Sequence, residues 1–184
     1  MKRLAAVLIL STLFWGCLVP SLHPIYTEKD LVFDPKLVGV WGEGDDVWRF
    51  SKEGEKAYRL NVTVDGKPGA FKAHLVELEG HRFLDIQPKA LDLDEEDAPL
   101  HWALCLPTHV FMRINVAGDT LKMASPDADD WTAYLKEHPD ALKHEIVDGD
   151  VVLTADTSAL QKFLVKMLEE KDAWNGLETL TRVE

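Results

Sequence analysis

Apolar and polar positions alternate along much of this 184-residue chain, in short runs that are separated by turn signals. The clearest run is "AYRLNVTV", in which Tyr58 and Leu60 fall on one side and Arg59 and Asn61 on the other. Strict alternation of this kind predicts an antiparallel strand with one buried face. The dipeptide Asp65–Gly66 follows it as a hairpin signal, and "AFKAHLVEL" is then the expected partner strand.

Runs of the same kind continue on both sides of this hairpin. Five follow one another between Leu37 and Gln87 with tight connections, which predicts a meander and not β–α–β units. After the acidic stretch 89–100 the runs resume with "HWALCLPTHVFMRINV", which Pro107 divides, and then with "TLKMA" and "DVVLTA". Because closure removes exposed strand edges, we expect a mainly β (α+β) fold: an antiparallel meander of about eight strands that forms a barrel or a strongly curled sheet.

Two segments have helical and not strand periodicity. The first is expected near 126–138, with Ser125 as its N-cap and proline at the first helical position. The second is expected near 156–171, with Asp156 or Ser158 as its N-cap. Its apolar residues recur every three or four positions, at Leu160, Phe163, Leu164, Met167 and Leu168. The pattern therefore predicts one helix inserted late in the meander and one C-terminal helix.

The first 20 residues are organised differently from the rest. Lys2 and Arg3 precede the apolar run 4–15, and the small residue Gly16 follows it. A positive start, a short apolar run and a small residue are the layout of a secretory signal peptide. A transmembrane helix needs about 20 apolar residues, whereas this stretch reaches Pro20 after 16. The pattern favours a signal peptide over a membrane span.

The residues "LFWGC" at the end of this run resemble the lipobox of bacterial lipoproteins. The resemblance implies that residues 1–16 are a signal peptide, that Gly16 is the last residue removed, and that Cys17 becomes the lipidated first residue of the mature chain. Phe14 and Trp15 stand where the family usually has leucine and a small residue. The resemblance also implies a location: the protein would be anchored by lipid in the bacterial cell envelope and would face the periplasm or the exterior. The alternatives are an ordinary signal peptide cut elsewhere, an uncleaved anchor, and a cysteine that stands at this position by chance.

Residues 17–36 are then expected to be a lipid-anchored tether, with part of it packed on the single β domain 37–184. The formal net charge is −12, and removal of Lys2 and Arg3 leaves 18 basic and 32 acidic residues. Such a surface argues against nucleic acid as a partner and against adhesion to anionic lipid through charge. Acyl chains on Cys17 would supply the membrane attachment that this charge cannot.

The residues "LVGVW" resemble the G-x-W signature that opens the barrel of lipocalin-like proteins, with Gly39 and Trp41 at the matching positions. The resemblance implies that the tryptophan closes one end of a barrel and that a helix follows the last strand, a place that the helix from Asp156 would take. The inserted helix near Trp131 departs from the family pattern. The alternative is that Trp41 and Trp48 are core residues of another kind of barrel or curled sheet.

A search for metal-binding and catalytic patterns finds no motif with the required spacing. His74 and His81 could meet across a turn, although such pairs are more often surface or packing residues. The alternating acids from Asp92 fail the EF-hand pattern, which needs a glycine at the sixth position and a glutamate at the twelfth. "GHRFLD" and "THVFMR" hold histidine, arginine and carboxylate residues without a spacing that demands a role. We therefore expect no metal and no cofactor.

The sequence does not indicate an enzyme, since it contains neither a G-x-S-x-G elbow nor a phosphate-binding glycine loop. Cys105 lies in an apolar run and is expected to be an inert buried thiol, the alternative being a cysteine enzyme that uses it with His101 or His109. The first functional hypothesis is a membrane-anchored binding module for an apolar small molecule or lipid. The alternative is an envelope structural or protein-interaction lipoprotein with a filled core and no small ligand.

Overall fold

The computed structural model describes residues 18–89, 106–170, 173–174 and 178–183. Two helices are present in these residues, α1 (Ala128–Glu137) and α2 (Thr157–Met167), with a 3-10 turn at Pro35–Leu37. The strands in chain order are β1 (Leu31–Val32), β2 (Gly39–Glu43), β3 (Asp46–Glu53), β4 (Ala57–Val64), β5 (Lys67–Leu78), β6 (His81–Pro88), β7 (Val110–Ala117), β8 (Thr120–Ala124), β9 (His144–Val147), β10 (Asp150–Leu153) and β11 (Glu178–Arg182).

Eight of these strands form a closed antiparallel barrel. Strands β2 to β8 pair consecutively, β11 lies between β8 and β2, and β5 pairs with both β4 and β6. Strand β1 lies outside this ring and pairs with the end of β5. The predicted fold class, a mainly β meander closed into a barrel with two helices, is therefore confirmed.

The eighth barrel strand is not the one that the sequence pattern suggests. "DVVLTA" does form a strand, β10, but it pairs only with β9 in a separate two-stranded sheet. The barrel is closed instead by β11, which follows α2, where the pattern predicts no strand. The only apolar residue of β11 is Leu180, so the local pattern of hydrophobic residues contains little signal for this strand.

The alternation along the strands separates two hydrophobic cores. One fills the barrel, and its large members include Trp41, Phe50, Tyr58, Leu60, Leu84 and Leu121. The other lies between the outer barrel wall, both helices and the β9–β10 hairpin, and it includes Phe83, Phe111, Trp131, Leu153, Leu164 and Met167. Neighbours such as Phe83 and Leu84 belong to different cores because successive side chains of a strand point to opposite faces.

The helix ends agree only in part with the predicted caps. The N-cap of α1 is Asp127 and not Ser125, because the extended Asp127 accepts a hydrogen bond from the amide of Asp130 at 3.0 Å. Of the two candidates for α2, Asp156 is the N-cap, and its carboxylate accepts from the amide of Ala159 at 2.9 Å.

Residues 18–30, here called the strap, lie on the outer wall of the barrel. Ser21 and His109 exchange two backbone hydrogen bonds of 2.8 Å, and Ile25 is fully buried. On its other side the strap is bonded to β10, through Leu153 N–H to Pro20 O and Leu22 N–H to Leu153 O, both at 2.9 Å. The strap is thus an ordered part of the domain that fills the space between the barrel and the β9–β10 hairpin.

Several predictions fall on residues that the structure does not describe. They are the signal peptide 1–16, the lipidation site Cys17, the acidic stretch 90–100, and the residues His101 and Cys105. In the part of the chain that is described, no helix combines the length and the apolar character needed to cross a bilayer.

Candidate functional site

The barrel interior is occupied by side chains. Leu60, Leu84 and Leu121 have no solvent exposure, and Trp41 lies among them with its indole N–H donating to Leu37 O at 2.9 Å. The partly buried ring of Phe33, which follows β1, is stacked on Tyr58 of this interior cluster. An eight-stranded barrel is just wide enough for its inward side chains to fill it. Trp41 is therefore a core residue, and the described interior is a packed core.

A buried polar cluster lies on the outer wall, under the strap. Asp85 of β6 is completely buried, and a hydrogen bond of 2.6 Å joins its Oδ1 to Nδ1 of His109. Its second oxygen accepts from the amide of Ile25 at 3.0 Å. Burial of a carboxylate is costly unless its oxygens are hydrogen-bonded, and here both have a partner. The carboxylate thereby connects the strap to the start of β7.

His74 and Tyr26 complete this cluster. His74 lies directly opposite Asp85 in the β5–β6 ladder, and its ring centroid is 4.5 Å from that of Tyr26. Burial, and next the charge of Lys72, lower the pKa of His74 from its ordinary value. Burial also raises the pKa of Tyr26 to about 12, with further contributions from Asp85 and Glu28. Both rings are therefore held in their neutral forms near neutral pH.

A polar cleft opens beside this cluster, on the outside of the barrel. Its volume is about 650 Å³, and its walls come from the strap, the β3–β4 turn and the outward faces of β5 and β6. Its lining includes Glu28, Glu53, Lys56, Lys72, His74 and Gln87. His74 connects the cleft with the buried cluster, since it lines the first and is stacked within the second.

Charges of both signs surround the cleft. Lys89 donates to Glu53 Oε1 at 3.1 Å, and this bond is the largest cause of the lowered pKa of Glu53. Lys56 donates to the backbone oxygen of Glu28 at 2.9 Å. The second carboxylate oxygen of Glu53 is buried and has no hydrogen-bond partner among the described residues. Lys72 is exposed at the edge. The cleft thus suits a polar ligand that carries charges of both signs.

The structure does not bring His74 and His81 together. His74 is buried opposite Asp85, whereas His81 is exposed at the β5–β6 turn and lies opposite Leu78. Among the described residues, no three His, Cys, Asp or Glu side chains are arranged to hold a metal ion.

The sequence pattern does not predict that Asp85, His109 and Tyr26 form a buried cluster, and it suggests a role for His109 only as a partner of Cys105. Asp85 and His109 belong to "GHRFLD" and "THVFMR". These segments stand out only because they hold histidine and charged residues, and their spacing indicates no role. A charged residue at an alternating strand position next to Phe83 and Leu84 is the one local signal of a buried carboxylate. Its partner Ile25 lies sixty positions away, so the sequence alone could not identify the pairing.

Comparisons with known proteins identify no relative of this chain. No family model matches the chain significantly, and neither does any curated protein or solved structure.

Proposed function

We propose that this chain is an exported lipoprotein, anchored in the bacterial cell envelope through Cys17, that works as a binding module and contacts its partner on the outside of the barrel. The observation that carries the proposal is the filled interior next to an open outer cleft. A barrel that holds a small molecule needs internal space, and here Leu60 and Leu84 occupy that space. The filled core favours an envelope protein as partner over an apolar small molecule inside the barrel.

The cleft is the surface that we assign to the partner. Its floor is rigid, because His74 and Gln87 belong to paired barrel strands. Its edges carry both lysine and glutamate side chains, which favour a protein segment with charges of both signs. Lys72 is exposed and available for such contacts without disturbance of the core.

Site-specific photocrosslinking in intact cells tests this assignment. A photoreactive amino acid at Gln87, in the cleft, should give a discrete adduct with an envelope protein, whereas one at Asn115, on the exposed part of β7, should not. The charge reversal Lys72→Glu should abolish the Gln87 adduct. The matched reversal Lys122→Glu, on an exposed position of β8, should leave the adduct unchanged.

Two results would count against an outer binding site. One is an adduct pattern that is the same at Gln87 and Asn115, or that Lys72→Glu leaves intact. The other is an apolar small molecule that remains bound to the purified protein in native mass spectrometry. That result would favour the small-molecule hypothesis instead.

The anchor is tested separately. The Cys17→Ser variant should move from the membrane fraction to the soluble fraction, because the acyl chains would be its main membrane contact. A variant that remains in the membrane fraction as completely as the wild type would refute the lipoprotein assignment.

A further inference from the structure

The strap is fixed to the domain almost from its first described residue. Pro20 accepts a hydrogen bond from Leu153, and Val19 is buried in the outer core. Leu18, by contrast, is 57% exposed. Cys17 precedes Leu18 directly in the sequence. Three residues of extended chain reach at most about 11 Å, so an anchor at Cys17 leaves no room for a long flexible linker to the domain.

We infer that the domain rests directly on the bilayer surface, with Leu18 and the tip of the β9–β10 hairpin facing the lipid headgroups. The inference rests on the proposed lipid anchor. It adds to that proposal a fixed orientation, in which one identified face of the domain contacts the membrane.

The register of the strap identifies this face. Ser21 and Leu153 are bridged in parallel, so the chain before Ser21 runs beside the chain before Leu153. This direction leads from Leu18 toward the β9–β10 turn, where Val147 pairs with Asp150. The bridge from Ser21 to His109 is antiparallel, so that residues before His109, such as Leu106, lie in the opposite direction.

The exposed side chains at the hairpin tip fit a membrane surface. Ile146 is 40% exposed and Val147 is 53% exposed, although both are large apolar residues. Unpartnered apolar side chains next to an acylated residue gain free energy when they enter the interface of a bilayer. Glu145, Asp148 and Asp150 lie beside them and are costly to bury in hydrocarbon. The hairpin therefore sits at the level of the headgroups and not in the acyl layer.

Fluorescence quenching in vesicles tests this orientation with the full-length lipidated protein. An environment-sensitive dye is attached at Val147→Cys, and in a matched variant at Leu106→Cys, which is also an exposed apolar position (74%). Both variants carry Cys105→Ser, so that the introduced cysteine is the only free thiol once Cys17 is acylated. The proteins are reconstituted in phosphatidylcholine vesicles whose headgroups carry a spin label.

The dye at Val147 should be quenched several-fold more strongly than the dye at Leu106. Insertion of about ten Gly/Ser residues between Leu18 and Val19 should remove this difference, because such a spacer has an r.m.s. length of about 17 Å.

Equal quenching at the two positions of vesicle-bound protein would overturn the orientation and leave the anchor intact. A difference that survives the spacer would overturn the short connection at Cys17 as the cause of the orientation. If the wild-type protein does not partition into vesicles, and Cys17→Ser behaves identically, the lipid anchor fails and the orientation fails with it.

Discussion

The guanidinium of Arg182 lies over the indole ring of Trp41, with 4.2 Å between its central carbon and the ring centroid. The two residues are partners in the register that joins β11 to β2 and so closes the barrel. Arg182 also donates hydrogen bonds to the carbonyl oxygens of Val38 and Lys36. One side chain thus connects the last strand both to the barrel core and to the segment that precedes β2.

Replacement of Arg182 by alanine should lower the free energy of unfolding by about 1–3 kcal/mol. Two carbonyl oxygens lose their hydrogen-bond donor, and Trp41 loses its cation–π contact. Lysine should restore little of this loss, since an ammonium group lacks the planar fork that serves two acceptors. Urea unfolding followed by tryptophan fluorescence measures both changes.

The control is Arg59→Ala, which removes an exposed ion pair with Glu53 and should change the stability by no more than about 0.5 kcal/mol. An Arg182→Lys variant as stable as the wild type would show that the planar guanidinium is not required at this position.

The packed interior predicts a large effect of Leu84→Ala. Leu84 is fully buried inside the barrel, so its truncation should cost about 2–5 kcal/mol through lost burial and the cavity left behind. Leu106→Ala, at an exposed position, should cost less than about 0.5 kcal/mol. Urea unfolding distinguishes the two outcomes. A small effect of Leu84→Ala would indicate a loosely filled barrel and would return the apolar-ligand hypothesis to first place.

The carboxylate under the strap gives a third prediction. Asp85→Ala leaves the amide of Ile25 and the ring of His109 without their buried acceptor, which should cost about 2–5 kcal/mol. The loss should be concentrated in the strap, so hydrogen exchange at the amides of Leu22 and Ile25 should accelerate more than exchange in β3 or β4.

Asp140→Ala, at an exposed position, is the matched control and should change the stability by less than about 0.5 kcal/mol. If the amides of the strap exchange at the wild-type rate in Asp85→Ala, the carboxylate does not hold the strap.

The sequence predicts the barrel because its strands meet different surroundings on their two faces. In β4, Tyr58 and Leu60 face the core and Arg59 faces solvent, and this difference appears directly as alternation. In β11, Glu178 and Arg182 share one face of the strand with Leu180. Polar residues therefore stand at positions where a half-buried strand is expected to have apolar ones. Its pairing depends on strands far away in the chain, and local propensity cannot reveal such a strand.

The candidate site is harder to predict, because it is assembled from distant segments. The strap covers Asp85, and the amide of Ile25 in the strap donates a hydrogen bond to its carboxylate. His74 lies opposite Asp85 in the β5–β6 ladder. Apart from the position of Asp85 next to Phe83 and Leu84, the neighbours of these residues in the sequence give no sign of the cluster. Burial by a distant segment is what turns a polar strand residue into part of a cluster, and burial of that kind is a property of the complete fold.

His74 predicts how stability depends on pH. Its folded-state pKa lies below the ordinary value of 6.5, first because it is buried and next because Lys72 is close. The unfolded chain therefore binds the proton more readily, and stability falls as the pH decreases through about 6.5 toward the folded-state value. Glu178 acts in the opposite direction, since burial and the nearby Glu43 raise its pKa, so the wild-type profile alone does not isolate His74.

The His74→Phe variant separates the two contributions, because it keeps an aromatic ring against Tyr26 but cannot bind a proton. Urea unfolding of both proteins between about pH 8 and about pH 5 gives the difference in free energy at each pH. Glu178 is present in both proteins, so its contribution cancels in that difference. The wild type should lose stability relative to the variant as the pH falls. A difference that stays constant across this range would mean that the histidine has the same proton affinity in the folded and unfolded chains, which contradicts its burial beside Lys72.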